Sequence, residues 1–332
     1  MTGLSKKWLI AIVGFAVLVI QLAFISSYVG ALHSPEPHGL GVGVLASNSQ
    51  IRSLSASIGP SSSDFSLLPV ASKAKLVQEV EDAQLFAGYI PSQHSSTLYV
   101  SSAQGTVATS LIEGVFSQVA LQSHSALHTA DLEPLPRNNS GGLVQFYLVI
   151  GWIVGAYLFA VIFGLLVGMT PNGLVGYFRR LPMFLLYSIL SGIGGATIVT
   201  NAFGYQQGHE LSIVLIGTLI VGSVSLTTAA LQSAGGLVGT GLVILGFVVV
   251  GNPSAGGPWP MAMLPAPWRQ IGGWLPNGAG LNAVRDVLFF HGHDLGSQIL
   301  VLGIYAAVGL GLLALLSVRG RPLVEISLAS RD

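Results

Sequence analysis

Six blocks of this chain are long and apolar enough to cross a bilayer, and they leave little else for most of the chain to be. The first, Trp8 to about Tyr28, follows Lys6 and Lys7 and contains no charged residue. At a rise of about 1.5 Å per residue it covers the roughly 30 Å of a hydrocarbon core. Five more follow, at about 143–168, 182–203, 211–230, 234–251 and 297–318, with Leu231-Gln232-Ser233 as a tight link between the fourth and fifth. A composition of 51% hydrophobic and only 8% charged residues agrees with that count, since an ordinary soluble domain carries about a quarter charged residues. The expected fold class is a mainly α membrane protein: six transmembrane helices with a small extracytoplasmic α/β (α+β) domain inserted between helices 1 and 2.

The expected domains are an N-terminal transmembrane anchor at 1–30, an extracytoplasmic α/β domain at 31–142, a five-helix transmembrane domain at 143–318 and a cytoplasmic tail at 319–332. A cleaved signal peptide is the alternative for the first span, with Val29-Gly30-Ala31 as its small-residue site, but an apolar core of about 20 residues exceeds the usual h-region of about 7–15. Lys6, Lys7, Arg179, Arg180, Arg319 and Arg321 fall on one side if the spans alternate. The positive-inside rule makes that side cytoplasmic. The protein is then multi-pass in the cell (plasma) membrane, with both termini inside and 31–142 outside.

Between the first two spans the pattern alternates. Gly41–Ala46 reads as a buried strand, the Ser-rich 47–64 as polar surface with a turn at Gly59-Pro60, and Phe65–Val70 as a second strand. Ser72 caps a helix at 73–84 with Leu76, Val80 and Ala83 on one face. Strands at Leu85–Ile90 and Thr97–Ser101 precede a longer helix from Gly105, with Val107, Leu111, Ile112, Val115 and Val119 at helical spacing. A linker with Pro134, Pro136 and Gly141-Gly142 leads to the second span.

The function classes that residues can exclude are mostly enzymatic. No Cys is present, so there is no disulfide framework and no thiolate metal site. The lysines are 6, 7, 73 and 75, none behind a phosphate-binding loop. His124 and His128 stand four apart on an expected helix, and His291 and His293 flank a glycine before Asp294, but neither pair has identifiable further ligands. No nucleophile and base constellation is present either, so the expectation is no enzyme, no cofactor and no metal. Zero formal net charge offers nothing for nucleic acid. The span interiors hold no ionisable relay and are rich in Gly, Ser and Thr, as at Ser191-Gly192, Gly194-Gly195, Gly217, Gly222 and Gly235 through Gly241. Such residues permit close helix packing or homodimerisation, or else line a path that slides open for a lipidic substrate.

The segment 252–296 is longer than a connector and mixes Pro and Gly breaks with Met261, Met263, Leu264, Trp268, Ile271, Trp274 and Leu275. Two short amphipathic pieces, 266–275 and 279–290, are expected to lie in the outer interface or dip into the membrane. They act either as a plug over span ends or as an outer gate, with Pro265, Trp268, Trp274, Pro276 and Arg285 as its candidate residues.

The string Met263-Leu264-Pro265, then Trp274-Leu275-Pro276 and Leu281-Asn282-Ala283-Val284-Arg285, resembles the outer hairpin of the permease subunits of type-2 ABC exporters. Leu98–Ala103 with Gly105, and Phe146–Trp152, are similar to actinobacterial YhgE/Pip-like (phage-infection-protein-like) membrane proteins. The likeness covers nearly the whole chain. It implies a homodimeric or heterodimeric permease that moves a lipid, drug or envelope component, powered by a separate ATPase. That ATPase would touch loop 169–181 at Tyr177, Phe178, Arg179 and Arg180; the alternative for the arginines is simple topology anchoring. Only seven residues precede Trp8, leaving no amphipathic helix ahead of the first span. The alternative function is a non-transporting surface receptor or scaffold of the phage-infection or secretion-accessory type, acting through the external domain.

Overall fold

The computed structural model describes residues 6–202 and 208–319. Arg321 and nearly all of the expected tail lie outside the described residues. Six helices are long and apolar enough to cross a membrane: Ile10–Leu32, Val144–Val167, Gly173–Asn201, Glu210–Gly235, Leu237–Ser254 and Leu295–Arg319. They are named here α1 (Lys6–Leu32), α5 (Val144–Val167), α6 (Gly173–Thr197), α7 (Glu210–Gly235), α8 (Leu237–Val243) running through a π-helical stretch Ile244–Val250 into α9 (Gly251–Ser254), and α12 (Leu295–Arg319).

In chain order, β1 (Leu40–Val44), α2 (Asn48–Ile58), β2 (Phe65–Pro69), α3 (Lys73–Glu81), β3 (Ala87–Ile90), β4 (Ser95–Val100), α4 (Thr106–Gln122) and β5 (Ala126–Asp131) fall between α1 and α5. The strands form one sheet in the order β2-β1-β3-β4-β5, with only the β3 to β4 pairing antiparallel. The alternation in β1 assigns its faces. Leu40, Val42 and Val44 join Ile112 and Phe116 of α4 in one core, with Ile51, Leu54 and Ile58 of α2 packed against it. On the other face Gly43 and Gly88 leave room for α3. A Cβ on Gly43 would stand 2.9 Å from Val70, and one on Gly88 would strike Leu76. The glycines let Leu76, Val80 and Leu85 form the second core close to the strands. The Ser72 side chain accepts from the Lys75 N–H at 3.3 Å and starts α3, as expected.

Three local expectations give way. The Ser-rich 47–64 is not bare surface: Ile51, Leu54 and Ile58 recur at helical spacing, and the Gln50 side chain accepts from the Ser47 N–H at 2.9 Å to begin a helix. The helix expected to carry both His124 and His128 stops at Gln122, because His124 turns left-handed at a φ of 52°. His128 then lies in edge strand β5, so the two do not share a helical face. Leu231-Gln232-Ser233 belongs to α7, where Gln232 is buried and donates to the Val161 carbonyl of α5 at 3.2 Å. The reversal falls on Gly236, whose φ of +56° suits glycine.

Helix α7 is the centre of the membrane part, with Ile213, Ile220, Val221 and Val224 fully buried. Small residues serve contacts within the chain. Trp152 of α5 lodges between Gly195 of α6 and Gly217 of α7 and donates its Nε1–H to the Ser191 carbonyl at 2.9 Å. Gly309 of α12 lies against the backbone of Leu226 and Thr227. Ser223 and Thr227 donate to the Leu302 and Tyr305 carbonyls of α12 at 2.8 and 3.0 Å. Close backbones plus hydroxyl bonds are how helices associate where no hydrophobic drive exists.

Candidate functional site

After α9 the chain passes through α10 (Trp268–Ile271) to α11 (Pro276–Phe289). Expected as an interfacial amphipathic piece, α11 is instead buried on nearly every side, from Pro276 through Leu281 and again at Ala283, Val284, Leu288 and Phe289. Gly278, Ala279, Gly280 and Ala283 are thin enough for this. A Cβ on Gly280 would stand 2.9 Å from Ile220 of α7 and 3.3 Å from Val149 of α5. Asn277, fully buried, donates to the Phe247 carbonyl at 2.8 Å and to Asn252 Oδ1 at 2.7 Å. It thereby occupies a carbonyl of the π-helical stretch, where the regular hydrogen-bond ladder is broken.

The five candidate gate residues do not converge. Trp268 Nε1–H donates to Ser27 Oγ of α1 at 3.0 Å, and its ring lies over Gly30. Arg285 is buried and donates to the Gly256 and Gly257 carbonyls at 3.0 and 3.4 Å. Pro276 takes the first turn of α11, where its missing N–H costs nothing. Pro265 begins the turn before α10, its carbonyl accepting from the Arg269 N–H at 3.2 Å, while Trp274 is 72% exposed. Together these contacts clasp the segment to α1 and to the end of α9.

The same segment reaches the sheet. Glu36 and His38 donate backbone N–H groups to the Met263 and Ala262 carbonyls, both at 3.1 Å. Met263 is buried within the core on the α4 side, with Trp259 and Ala262 packed against it. Between this contact and the start of α12 lies a cavity of about 470 Å³, walled by Asp82, Gln84 and Phe86 from one side and by Met261, Asp286 and His293 from the other. His293 Nδ1 is 3.6 Å from Asp82 Oδ2, and its other ring nitrogen meets the Gln84 amide. Asp286 is 5% exposed, and its Oδ2 has no hydrogen-bond partner. Burial pushes its carboxyl up to about 6, aided by Asp294 and Asp82 and opposed by His293 and a backbone N–H. Sequence reasoning passed over Asp286. The available signal was an acid within the helical run Leu281–Phe289, next to Arg285 and followed by Val287, Leu288 and Phe289, where an ionisable group is costly unless it has a use.

The four residues expected to meet an ATPase lie on a helix, not in a loop: the loop is 168–172, and α6 begins at Gly173. Arg180 is buried, donates to the Thr170 carbonyl at 3.3 Å, and stacks 5.9 Å from the Phe163 ring. Tyr177 is buried too, which leaves Phe178 and Arg179 as the exposed pair. Beside them runs a second hollow of about 490 Å³ between α6, α7 and α12, lined by Phe178, Phe184, Ser188, Thr218, Gly222 and Leu310 among others. Among the described residues, no group of three or more His, Asp or Glu side chains is placed to hold a metal ion.

These elements define a multi-pass membrane protein. Comparison with protein-family models, with curated proteins and with solved structures finds no match to this chain.

Proposed function

We propose that this chain is the membrane-spanning permease subunit of a type-2 ABC-type exporter, moving a lipid, drug or envelope component with energy from a separate ATPase. The observation that carries the reading is the hollow between α6, α7 and α12. It is bordered by apolar side chains and two hydroxyls, has no charged group in its lining, and ends beside exposed Phe178 and Arg179. An apolar molecule entering from the bilayer meets no desolvation penalty there. Among the six spans, the described ionisable Asp, Glu, Lys, Arg and His side chains from residue 10 onward are Arg179, Arg180, Glu210 and Arg319, all toward helix ends. Such spans offer no proton relay, so the energy comes from a partner. In this reading residues 31–142 are extracytoplasmic, the ends bearing Arg179, Arg180 and Arg319 are cytoplasmic, and two membrane subunits pair as a homodimer or heterodimer.

The test is purification of the tagged full-length chain from its native membrane. A nucleotide-binding subunit is expected in near-stoichiometric amount, and an Arg179→Glu, Phe178→Ala variant that still inserts is expected to lose it. Recovery of no ATPase, together with full function of residues 31–142 carried on an unrelated membrane anchor, overturns the permease and favours a receptor or scaffold. The core of Val70, Leu76, Val80 and Leu85, drawn wholly from residues 31–142, is what makes that second reading worth testing.

A further inference from the structure

We infer that the cavity between the sheet and the start of α12 is a binding site for a small organic cation, an ammonium group carried on an apolar body, with Asp286 as its principal counter-charge. Three carboxylates stand in the cavity wall, Asp82, Asp286 and Asp294, against one guanidinium, that of Arg285. Arg285 already donates to the Gly256 and Gly257 carbonyls, and Asp294 accepts from the Gln298 amide at 2.9 Å. Asp286 differs from the other acids: nearly all of it is out of solvent, and Oδ2 bonds to nothing.

A buried carboxylate oxygen without a donor costs free energy, and a cationic donor supplies both the charge and the hydrogen bond it lacks. The rest of the wall selects the body of the ligand. Phe86, Met261 and Phe290 add apolar and aromatic surface, which suits an alkyl or aromatic amine and attracts a cation to ring faces. A bare metal ion fits poorly, because no three described His, Asp or Glu side chains are grouped to ligate one. A volume of about 470 Å³ lies within the range of small-molecule sites. The wall is drawn from both the sheet-bearing part and the membrane part, so a bound cation bridges the two. The inference rests on this cavity alone and not on the export reading.

A second consequence is pH dependence. The charged and titratable groups facing Asp286 are Asp82 from the sheet side, His293 and Asp294 from the turn before α12, and Arg285 on its own helix. With the Asp286 carboxyl titrating near 6, a cation binds most tightly above that pH and competes with a proton below it.

The experiment uses the full chain in phosphatidylcholine nanodiscs, with benzylammonium as probe, benzyl alcohol as its neutral counterpart, and empty nanodiscs subtracted. Ligand-observed NMR titration is expected to show benzylammonium bound at least about tenfold more tightly than the alcohol, with affinity falling about tenfold from pH 7.5 to pH 5. Asp286→Asn, which keeps the shape, is expected to lose about tenfold or more, and Asp82→Asn on the opposite wall about threefold. Equal binding of the alcohol overturns the inference, as does unchanged affinity in Asp286→Asn. Should that variant not fold, unchanged affinity in Asp82→Asn overturns it.

Discussion

Replacing Gly309 by alanine tests whether α7 and α12 are held by close backbone approach. A Cβ at this position would stand 2.7 Å from the Thr227 nitrogen and 2.8 Å from the Leu226 carbonyl carbon. Both are backbone atoms, so no rotamer change relieves the clash. Restoring contact at about 3.5 Å requires the helices to part by most of 1 Å. That movement stretches the Ser223 to Leu302 and Thr227 to Tyr305 hydroxyl bonds, now 2.8 and 3.0 Å. Interhelical bonds of this kind contribute about 0.6 kcal/mol each on average, and overpacking adds about 1–3 kcal/mol. The expected loss is then about 2–4 kcal/mol, the sum of those two contributions. Gly303 on the same helix supplies the control, because nothing stands within 4 Å of a Cβ placed there. Gly303→Ala should lie within about 0.5 kcal/mol of the parent. Steric-trapping or denaturant unfolding of the full chain in bicelles measures both. Equal stability of the two variants would refute the reasoning, because it would mean that α7 and α12 do not touch at Gly309.

Asn277→Ala removes the donor to the Phe247 carbonyl and to Asn252, and should cost about 1–3 kcal/mol by the same unfolding measurement. Arg180→Gln gives up a charged bond to the Thr170 carbonyl and a ring contact with Phe163, and should destabilise by about 2 kcal/mol. Arg179→Gln should leave stability within about 0.5 kcal/mol while weakening recovery of an ATPase, so equal destabilisation by the two substitutions would contradict the geometry. Asp286 makes a signed contribution to pH dependence. Its folded pKa of about 6 lies above the unfolded value near 4, so the native state holds the extra proton. Stability from this group is full below about pH 4 and is lost as pH rises toward 6. The melting-temperature difference between Asp286→Asn and the parent should therefore grow in favour of the variant across that window, and a flat difference would contradict it.

The spans were legible because each needs only length and apolarity, and α1 with 27 residues or α12 with 25 satisfies both without reference to any neighbour. Strands β1 to β4 were legible from alternation and short apolar runs. Strand β5 was not: Ala-Leu-His-Thr-Ala-Asp sits at a sheet edge with its side chains largely outward, so burial writes no pattern into it. Helix α2 hid behind four serines, although Ile51, Leu54 and Ile58 carried its period. The burial of α11 depends on α5, α7 and the turn at Gly272 accepting the thin Gly278–Gly280 stretch, which is a tertiary fact that a hydrophobic stripe cannot express. The candidate site suffered most. Tyr177 to Arg180 and the five Pro, Trp and Arg positions were visible as unusual residues, whereas the cavity lies between Asp82 and His293, about 200 positions apart in the chain.

That separation has a mechanical consequence. The segment 259–264 crosses from the end of α9 into the sheet's own core through Met263, and its far end continues through α10 onto Ser27 of α1 and into α11. Gly105, at the entrance to α4, is pressed against Pro260. A displacement of α11 or α12 therefore cannot leave the sheet where it was without breaking the Glu36 and His38 backbone bonds and pulling Met263 from a packed site. Packed cores of this kind have discrete arrangements instead of a continuous range. Movement of α12 relative to α7, whether driven by a partner at the Arg179 end or by a ligand at Asp286, should reach the sheet as rigid-body rotation. A spin-label pair on the exposed positions Leu121 and Trp274 should then keep its distance while one on Leu166 and Val318 changes. A changing Leu121 to Trp274 distance would mean that the Met263 joint slips.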